Sequence, residues 1–294
     1  MLFLYRASSV KHLNNKNKNL PDMTDFRLML APLEDITSNA FRTVCWKNGA
    51  DLTFTEMTRI SGLVRDNQST MQKIELKDDT PTVIQLFGLK EEEFYRFLKD
   101  YKPEKGFKGF NLNIGCPSPQ LVRIGQGCAM IRRISKTKRI VDTIKDCGFE
   151  TSIKMRLGIT QRDKENKIYL NLINGVDAEY FIVHARHGMQ TYAEKADFSV
   201  YEEFFKTGKN IIANGDIKTK EQIEFLKTTG VKGAMIGREA VRNPAIFNQL
   251  KGLSAGKKDE ILKEFLELSQ KYGEEEKYRK NVIKIIPAFI AMHK

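Results

Sequence analysis

Short apolar segments alternate with amphipathic helical stretches along most of the chain, and this alternation constrains the fold more than any other feature of the sequence. It begins at Phe26 and continues with little interruption to about residue 250. Such a pattern predicts parallel strands joined by helices. The predicted strands are residues 26–33, 52–57, 82–88, 109–115, 151–158, 180–186, 210–217 and 231–238.

Eight strand–helix units predict a closed (β/α)8 TIM barrel of the α/β class. A doubly wound sheet fits less well, because its glycine fingerprint is missing. We expect the barrel to cover residues 25–250 and a short helical region to cover 251–294, with a hinge at 252–256. The Asn- and Lys-rich residues 1–24 predict a disordered extension, although Met23 is an equally good candidate for the true start.

Charge and composition restrict the kinds of partner and site that this chain can have. The formal charge of +12 and pI near 9.4 favour an anionic partner, with nucleic acid first, although a generally Lys-rich proteome would give the same balance. The 4 cysteines form no CxxC pair, which argues against a zinc site and a disulfide framework, so no metal is predicted. With no apolar run of about 20 residues and no secretory signal, we expect no membrane association and a cytoplasmic protein.

Polar side chains stand near the carboxyl ends of the predicted strands, where a barrel strand should otherwise be apolar. Because side chains alternate between the two faces of a strand, the polar residues of each strand can share one face. Barrel active sites form at the carboxyl ends of the strands, so we expect these residues to converge on one mouth and to bind something negative. They are Gln85, Asn111, Asn113, Lys154, Arg156, His184, Arg186, Asn214 and Asp216.

Two glycine-bearing strand ends sharpen this expectation. The segments ANGDI (213–217) and MIGRE (235–239) end the seventh and eighth strands, where barrels often bind a phosphate group. Gly215 and Gly237 would allow close approach of the backbone, and Arg238 and Lys154 would supply positive charge. A phosphorylated cofactor is therefore predicted.

Together these motifs resemble the tRNA-dihydrouridine synthases. The likeness covers about residues 26–250 and keeps the family's motif order: LAPLEDIT, AFR (40–42), TEM (55–57), VIQLFG (83–88), LNIGCPSP, IKMRLG, the segment from HAR to EKADF, ANGDI and NPAIF. The resemblance implies an FMN enzyme that uses NADPH or NADH to reduce uridines in tRNA. Two alternatives stay open: a small-molecule flavin oxidoreductase of the dihydroorotate or dihydropyrimidine dehydrogenase type, and a non-catalytic RNA-binding relative.

The resemblance also implies roles for individual residues. Cys116, on a rigid Gly-Cys-Pro turn, would give a proton to C5 of the uracil, whereas Cys45 and Cys147 are interpreted as structural. The implied cofactor-binding residues are Pro32, Leu33, Glu34, Gln85, Lys154, His184, Asn214, Gly215, Asp216, Gly237 and Arg238. The implied substrate-binding residues are Asn113, Arg156, Arg186 and Tyr192.

The chain departs from the family pattern in three places. Leu33 and Glu34 replace a methionine and a small residue at the cofactor edge, and Gln120 stands where many members have lysine. Only about 45 residues follow the barrel, with Tyr278, Arg279 and Lys280 as candidate RNA contacts. The sequence therefore predicts either a reduced RNA-binding region or a truncated chain.

Overall fold

The computed structural model describes residues 25–292, with side chains to residue 286. The predicted extension over residues 1–24 lies outside the described residues. All strand pairings are parallel and belong to one sheet. The strands are β1 (Arg27–Leu30), β2 (Thr53–Phe54), β3 (Thr58–Arg59), β4 (Thr82–Phe87), β5 (Phe107–Ile114), β6 (Thr151–Arg156), β7 (Phe181–His184), β8 (Ile211–Asn214) and β9 (Gly233–Ile236).

The sheet closes into a barrel. Its order is β1-β9-β8-β7-β6-β5-β4-β2, and β3 also pairs with β4. A single parallel bridge between Met29 and Leu52 joins β1 to the segment that leads into β2, which completes the ring. The predicted (β/α)8 barrel is confirmed.

The second barrel segment differs from its prediction, because residues 52–57 do not form one continuous strand. Pairing stops after Phe54 and resumes at Thr58. The reason lies at Thr55, whose side-chain hydroxyl accepts the Gln85 backbone N–H at 2.9 Å, in place of a backbone carbonyl. The hydroxyl thus replaces one backbone acceptor of the β2–β4 pairing, and Glu56 and Met57 are not part of a strand.

Several strands are also shorter than predicted at their carboxyl ends. Pairing ends at Leu30, His184, Asn214 and Ile236, although the predicted strands continue to residues 33, 186, 217 and 238. The remaining residues diverge into the loops at the barrel mouth. The motifs with predicted functions therefore lie largely on loops supported by the strands.

Helices cover the outside of the barrel. They are α1 (Asn39–Lys47), α2 (Ile60–Leu63), α3 (Gln68–Gln72), α4 (Glu91–Leu98), α5 (Pro119–Arg123), α6 (Ile134–Asp146), α7 (Gln161–Glu165), α8 (Ile168–Gly175), α9 (Val200–Phe204), α10 (Lys220–Thr228), α11 (Arg238–Arg242), α12 (Ile246–Lys251), α13 (Lys258–Lys271) and α14 (Glu276–Met292). Two 3-10 helices span Gly127–Arg132 and Phe205–Thr207. Local sequence starts some of them: Thr160 and Thr219 form capping boxes at α7 and α10.

The alternation of side chains along the strands creates two apolar layers. The larger layer lies between the strands and the helices and includes Leu28, Leu30 and Phe41. A smaller cluster fills the barrel interior with residues such as Met29, Val83 and Ile182, which alternate with the outward-facing positions. Toward the carboxyl ends of the strands, polar residues such as Gln85 and Lys154 replace apolar ones in the interior.

The C-terminal helices pack beside the first strand–helix unit. Phe265 of α13 meets Phe41 of α1 edge to face, with ring centroids 6.2 Å apart, and Lys47 forms an ion pair with Glu264 at 2.5 Å. Burial of such an aromatic pair stabilises a contact by about 0.5–1.5 kcal/mol beyond its area. Among residues 25–292, no helix combines the length and apolar character needed to cross a membrane.

Candidate active site

A cavity of about 310 Å³ opens at the carboxyl ends of β1, β6, β7, β8 and β9. Ten residues predicted from the sequence line it: Pro32, Leu33, Lys154, His184, Tyr192, Asn214, Gly215, Asp216, Gly237 and Arg238. The sequence reasoning missed Lys218, Glu239 and Arg242, which also line the cavity. The spacing of Arg242, four residues after Arg238 on α11, was the available signal for it.

Positive charge dominates the cavity and its walls. Two carboxylates offset part of it: Asp216 accepts hydrogen bonds from Arg186 and, at 2.5 Å, from Arg238, and Glu239 pairs with Arg242 at 2.8 Å. Lys154 has no carboxylate partner within the described part of the chain, and Arg156 donates only to the His187 carbonyl, at 2.9 Å. The charges of Lys154 and Arg156 therefore remain uncompensated, which suits an anionic ligand.

Lys154 keeps part of its surface accessible within the cavity but lies deep in the barrel mouth. This burial, and next the neighbouring charge of Arg156, lower the pKa of Lys154 to about 8. A bound anion would oppose both effects by stabilising the protonated ammonium group. Lys154 is thus a cation that an anionic ligand would neutralise.

His184 is buried among cations and is neutral. Burial first, and then the charges of Lys154, Arg156, Arg186 and Arg238, hold the pKa of His184 well below its usual range. The guanidinium of Arg186 donates to Nε2 of His184 at 3.0 Å, so Nε2 is the acceptor and Nδ1 carries the proton. His184 can therefore donate one hydrogen bond from Nδ1 without adding charge.

Tyr192 lies over this cluster from the loop after β7. Its ring stacks on His184 with centroids 6.2 Å apart, and the Arg238 guanidinium lies 4.2 Å from the ring centroid. These contacts hold the ring while 58% of the residue stays exposed. Tyr192 therefore offers a free aromatic surface at the cavity entrance.

Arg186 is fully buried, and four of its five N–H donors are occupied. It donates to the Glu194 carbonyl at 2.9 and 2.6 Å, as well as to His184 and Asp216. These bonds tie the loop that carries Tyr192 to the end of β8. Because most of its donors are used internally, Arg186 orients its neighbours and has little capacity for direct ligand contact.

A chain of amides crosses the barrel beside the cavity. Gln85 donates to Asn111 at 2.7 Å, Asn111 donates to Ser152 at 2.8 Å, and Asn113 donates to the Gln85 side-chain oxygen at 2.8 Å. Gln85 and Asn111 are fully buried, so each bond satisfies a group that would otherwise be costly to bury. The chain fixes the orientation of Asn113 through Gln85 on the neighbouring strand β4.

Asn113 in turn holds the Gly-Cys-Pro turn. Its side-chain oxygen accepts the backbone N–H groups of Gly115 and Cys116, both at 3.1 Å. With one N–H bonded to Gln85, Asn113 has a single side-chain N–H left for a ligand. Cys116 is partly exposed on this turn, next to the strand that carries Lys154.

Gly127 allows a second segment to support the Cys116 turn. The Cys128 backbone N–H donates to the Cys116 carbonyl at 2.9 Å, and a Cβ added at Gly127 would lie 2.2 Å from that carbonyl oxygen. Gly127 also has a φ of +57°. Both features require glycine at this position.

Gly127→Ala should therefore destabilise the fold more than Gly148→Ala. Gly148 has a φ of +88° but no atom within 4 Å of an added Cβ, so it is a control for backbone strain alone, about 1–2 kcal/mol. The extra loss at residue 127 should come with an altered rate of Cys116 alkylation, because the carbonyl must move. Urea unfolding and iodoacetamide labelling measure the two effects; equal losses and equal labelling rates would contradict the role of Gly127.

Glu34 points away from the cavity, although its neighbours Pro32 and Leu33 line it. Glu34 is exposed and pairs with Lys73, at the end of α3. The loop after β1 is also held from the other side, because Asp35 pairs with Lys277 at 3.3 Å and its carbonyl accepts from Asn281 at 3.1 Å. The cavity edge is thus attached to both the α3 segment and the C-terminal helix α14.

Glu56, in the TEM motif, is a buried acid with no role assigned from the sequence. It accepts the Asp35 backbone N–H, and the Tyr278 hydroxyl donates to it at 2.5 Å. Burial is the largest influence and raises the pKa of Glu56, against the opposing effects of these hydrogen bonds and Lys73. Glu56 therefore links the loop after β1 to α14 through one carboxyl group.

Glu56 should make the fold less stable as the pH rises. An acid whose pKa is raised in the folded state stabilises fully below its unfolded value, about 4.3, and this stabilisation is lost as the pH rises through the folded pKa. Glu56→Gln keeps an acceptor for Asp35 and offers a donor to the Tyr278 hydroxyl oxygen. The unfolding free energy of the wild type, measured relative to that of Glu56→Gln, should therefore fall as the pH rises above about 4.3. A pH-independent difference would exclude a raised pKa for Glu56.

The solved structures similar to this chain share its fold. Morphinone reductase superposes with a TM-score of 0.54 and 13% sequence identity, covering 81% of this chain and 88% of that one. A structure of morphinone reductase in complex with tetrahydroNAD gives a TM-score of 0.52 at 12% identity, over 81% and 90% of the two chains. Fold and site together define a (β/α)8-barrel protein with a cationic mouth beside a cysteine-bearing turn.

Sequence comparison identifies the family. The family model described as dihydrouridine synthase (Dus) matches residues 29–291. A probable tRNA-dihydrouridine synthase of Helicobacter pylori is 30% identical over 260 residues, which is 84% of this chain and 78% of the relative. Probable tRNA-dihydrouridine synthase 2 of Bacillus subtilis is also 30% identical, over 84% and 79% of the two chains. The chain belongs to the dihydrouridine synthase family, as the motifs predicted.

Proposed function

We propose that the protein is an FMN-dependent tRNA-dihydrouridine synthase that uses NADPH or NADH as reductant. The observation that carries this proposal is the excess of positive charge at the barrel mouth, above all Lys154, which lacks a carboxylate partner among the described residues. A phosphorylated cofactor would neutralise this charge. Membership of the family favours FMN, and the cavity volume of about 310 Å³ is sufficient for part of such a ligand.

The residues present fit the phosphate of FMN. Lys154 and Arg238 would contact it, with Asp216 holding Arg238 in position. Gly215 has a φ of +117°, and a Cβ added there would lie 2.8 Å from His184, so glycine is required where the backbone would meet the phosphate. Bound FMN, once reduced by NADPH or NADH, would supply a hydride to C6 of the uracil.

The same proposal assigns the edge of the cofactor ring to the strands on either side of the cavity. Pro32 and Leu33 line the cavity from the loop after β1 and would pack against the ring. Gln85 has one side-chain N–H beyond its bond to Asn111 and would donate it to the ring. His184 and Asn214 complete the wall, where the Asn214 side chain is fixed by its bond to the Met235 carbonyl at 2.8 Å.

Cys116 would act as the general acid. Its S–H would give a proton to C5 of the uracil while C6 receives the hydride, and the thiolate would take a proton back from solvent, so the uracil gains two hydrogens and loses only the π bond between C5 and C6. Asn113 would donate its free N–H to a uracil carbonyl. Because the same amide holds the Cys116 backbone, base and thiol would be positioned by one group.

The target nucleotide must leave its stack to reach the mouth. Tyr192 would stack on it, and Arg156 would contact it from the floor of the mouth. Arg186, whose guanidinium lies 5.5 Å from the Tyr192 ring centroid, would hold Tyr192 in place. The helical region after residue 250 would dock the rest of the tRNA, with Arg279 and Lys280 of α14 as contacts. The proposal thus divides the chain into a barrel that holds the cofactor, residues 25–250, and a helical region that contacts tRNA.

A spectroscopic titration tests the proposal. The purified protein should have the visible spectrum of bound flavin, bleach with NADPH under anaerobic conditions and regain its colour on adding unmodified tRNA. Bound flavin that ignores tRNA but turns over free uracil or orotate would indicate a small-molecule oxidoreductase instead. A protein that binds tRNA and no flavin would be a non-catalytic relative.

A further inference from the structure

A second basic groove lies on the rim of the barrel, outside the cavity. It has a volume of about 370 Å³ and is formed by the segment that continues from β3 through α2 to α3. Its lining residues are Arg59, Ser61, Gly62, Arg65, Asn67 and Thr70. None of them has a role in the function proposed above.

The two arginines of this groove are uncompensated. Both are exposed, and within residues 25–286 neither forms an ion pair with a carboxylate. Lys73, the other cation of this segment, is already paired with Glu34. Two guanidinium groups that share one groove without a counter-ion are suited to a phosphate group, whose oxygens match their planar donors.

Internal contacts support the shape of the groove. The Asn67 side-chain oxygen accepts from the Thr70 backbone N–H at 3.1 Å and from its hydroxyl at 2.9 Å. Gly62 lets the two helices approach, because a Cβ there would lie 2.7 Å from the Thr70 hydroxyl. The Arg59 guanidinium lies 5.1 Å from the centroid of the Phe87 ring, which limits its motion. A preorganised site loses less entropy when it binds.

The groove is connected through β4 and β5 to the turn that carries Cys116, where the base would react. Arg59 pairs with Phe87, two residues beyond Gln85 on β4, and Gln85 bonds to Asn113 on β5. The Cys116 turn follows β5, so it lies between the groove on the β3–β4 side and the cationic cavity on the β6–β9 side. A polyanion that enters the mouth at Cys116 would pass the groove.

We infer that the Arg59–Arg65 groove binds a backbone phosphate of the RNA substrate, next to the nucleotide that enters the mouth. This inference rests on the proposed function for its substrate. The groove would hold the strand that flanks the extruded base, and its contribution would be to RNA affinity, since neither arginine lines the cofactor cavity.

The test compares Arg59→Ala, Arg65→Ala and the double variant with Arg96→Ala. Arg96 is also exposed, but it lies on α4 outside both the groove and the cavity, so it is the matched control for the loss of one positive charge. Equilibrium tRNA binding is measured across a salt series. Each groove substitution should weaken binding by roughly tenfold, and the double variant should lower the slope of log K against log salt by about 1.4 to 1.8.

The two half-reactions separate the possible ligands. Flavin content and the rate of flavin reduction by NADPH should match wild type in all variants, whereas reoxidation by subsaturating tRNA should slow in the groove variants. Groove variants whose tRNA affinity and salt slope equal those of Arg96→Ala would overturn the inference. A raised NADPH requirement with unchanged tRNA binding would also overturn it and assign the groove to the nucleotide reductant.

The inference and the proposed function can fail independently. A wild-type protein whose flavin is not reoxidised by tRNA would contradict the proposed function. The binding measurement needs no turnover, so it would still decide whether Arg59 and Arg65 hold RNA.

Discussion

Cys116→Ala should lower the rate of uridine reduction by about 10² to 10⁴-fold, the usual contribution of a positioned general acid. The loss should fall on the tRNA-dependent step, because Cys116 lies on a turn beside the cavity and does not line it. Flavin content and reduction by NADPH should stay close to wild type. Single-turnover reoxidation by tRNA, followed by the flavin absorbance, measures the effect directly.

Cys147→Ala is the matched control for this substitution. Cys147 is also a partly exposed free thiol, but it caps α6 on the outside of the barrel. In Cys147→Ala, the flavin should be reoxidised by tRNA at the wild-type rate. Cys116→Ser, which keeps a weaker proton donor in place, should fall between wild type and alanine. Wild-type reoxidation by Cys116→Ala would remove Cys116 from the reaction.

Lys154→Ala should weaken FMN binding by about 10- to 150-fold, the equivalent of one charge-assisted hydrogen bond of 1.5–3 kcal/mol. The barrel should remain folded, because the substitution removes an uncompensated charge from the mouth. The unfolding free energy should therefore stay the same or rise, while the purified protein loses its colour. Fluorescence titration of the apoprotein with FMN measures the affinity.

The pH dependence of this affinity gives a second test of Lys154. In the free protein the pKa of Lys154 is lowered to about 8, so the ammonium group is lost as the pH rises above this value. FMN affinity of the wild type should therefore fall between about pH 7 and 9, and Lys154→Ala should lack this dependence. Lys206→Ala, which removes an exposed lysine far from the cavity, should behave as wild type. A Lys154→Ala protein that stays fully loaded with flavin would contradict the phosphate assignment.

The architecture was predictable because its signal is local and repeated. Eight apolar segments separated by helical stretches require a parallel sheet, and their number favours closure. The ends of the strands were not predictable to the same degree. At residues 55–57 the strand is interrupted because the Thr55 hydroxyl replaces a backbone acceptor, a contact with Gln85 that lies 30 residues away.

The candidate site was predictable as a set of residues. Lysine, arginine and histidine are costly to bury without a partner, so their presence at the ends of buried strands indicated a binding site. The alternation of side chains along each strand identified which of them share a face. The sequence could not show which of these residues pair with one another and which remain free to contact a ligand. Asp216 pairs with both Arg186 and Arg238. Arg186 is used internally, because the loop conformation brings Glu194 and Ala196 to the end of β8.

The sequence by itself therefore determined the barrel, the family motifs and the positive character of the mouth, since each follows from residue type and spacing along one chain. The tertiary structure alone decided three things: that Asn113 holds both the Cys116 turn and a free donor, that Glu56 joins the cavity loop to Tyr278, and that Arg59 and Arg65 share a groove. Each depends in part on a contact between separate segments: Asn113 is oriented by Gln85, 28 residues away, and Glu56 meets Tyr278, 222 residues away. The groove is local in sequence, but Arg59 is placed by its pairing with Phe87 of β4. No local pattern encodes such contacts, because they exist only once the sheet has closed.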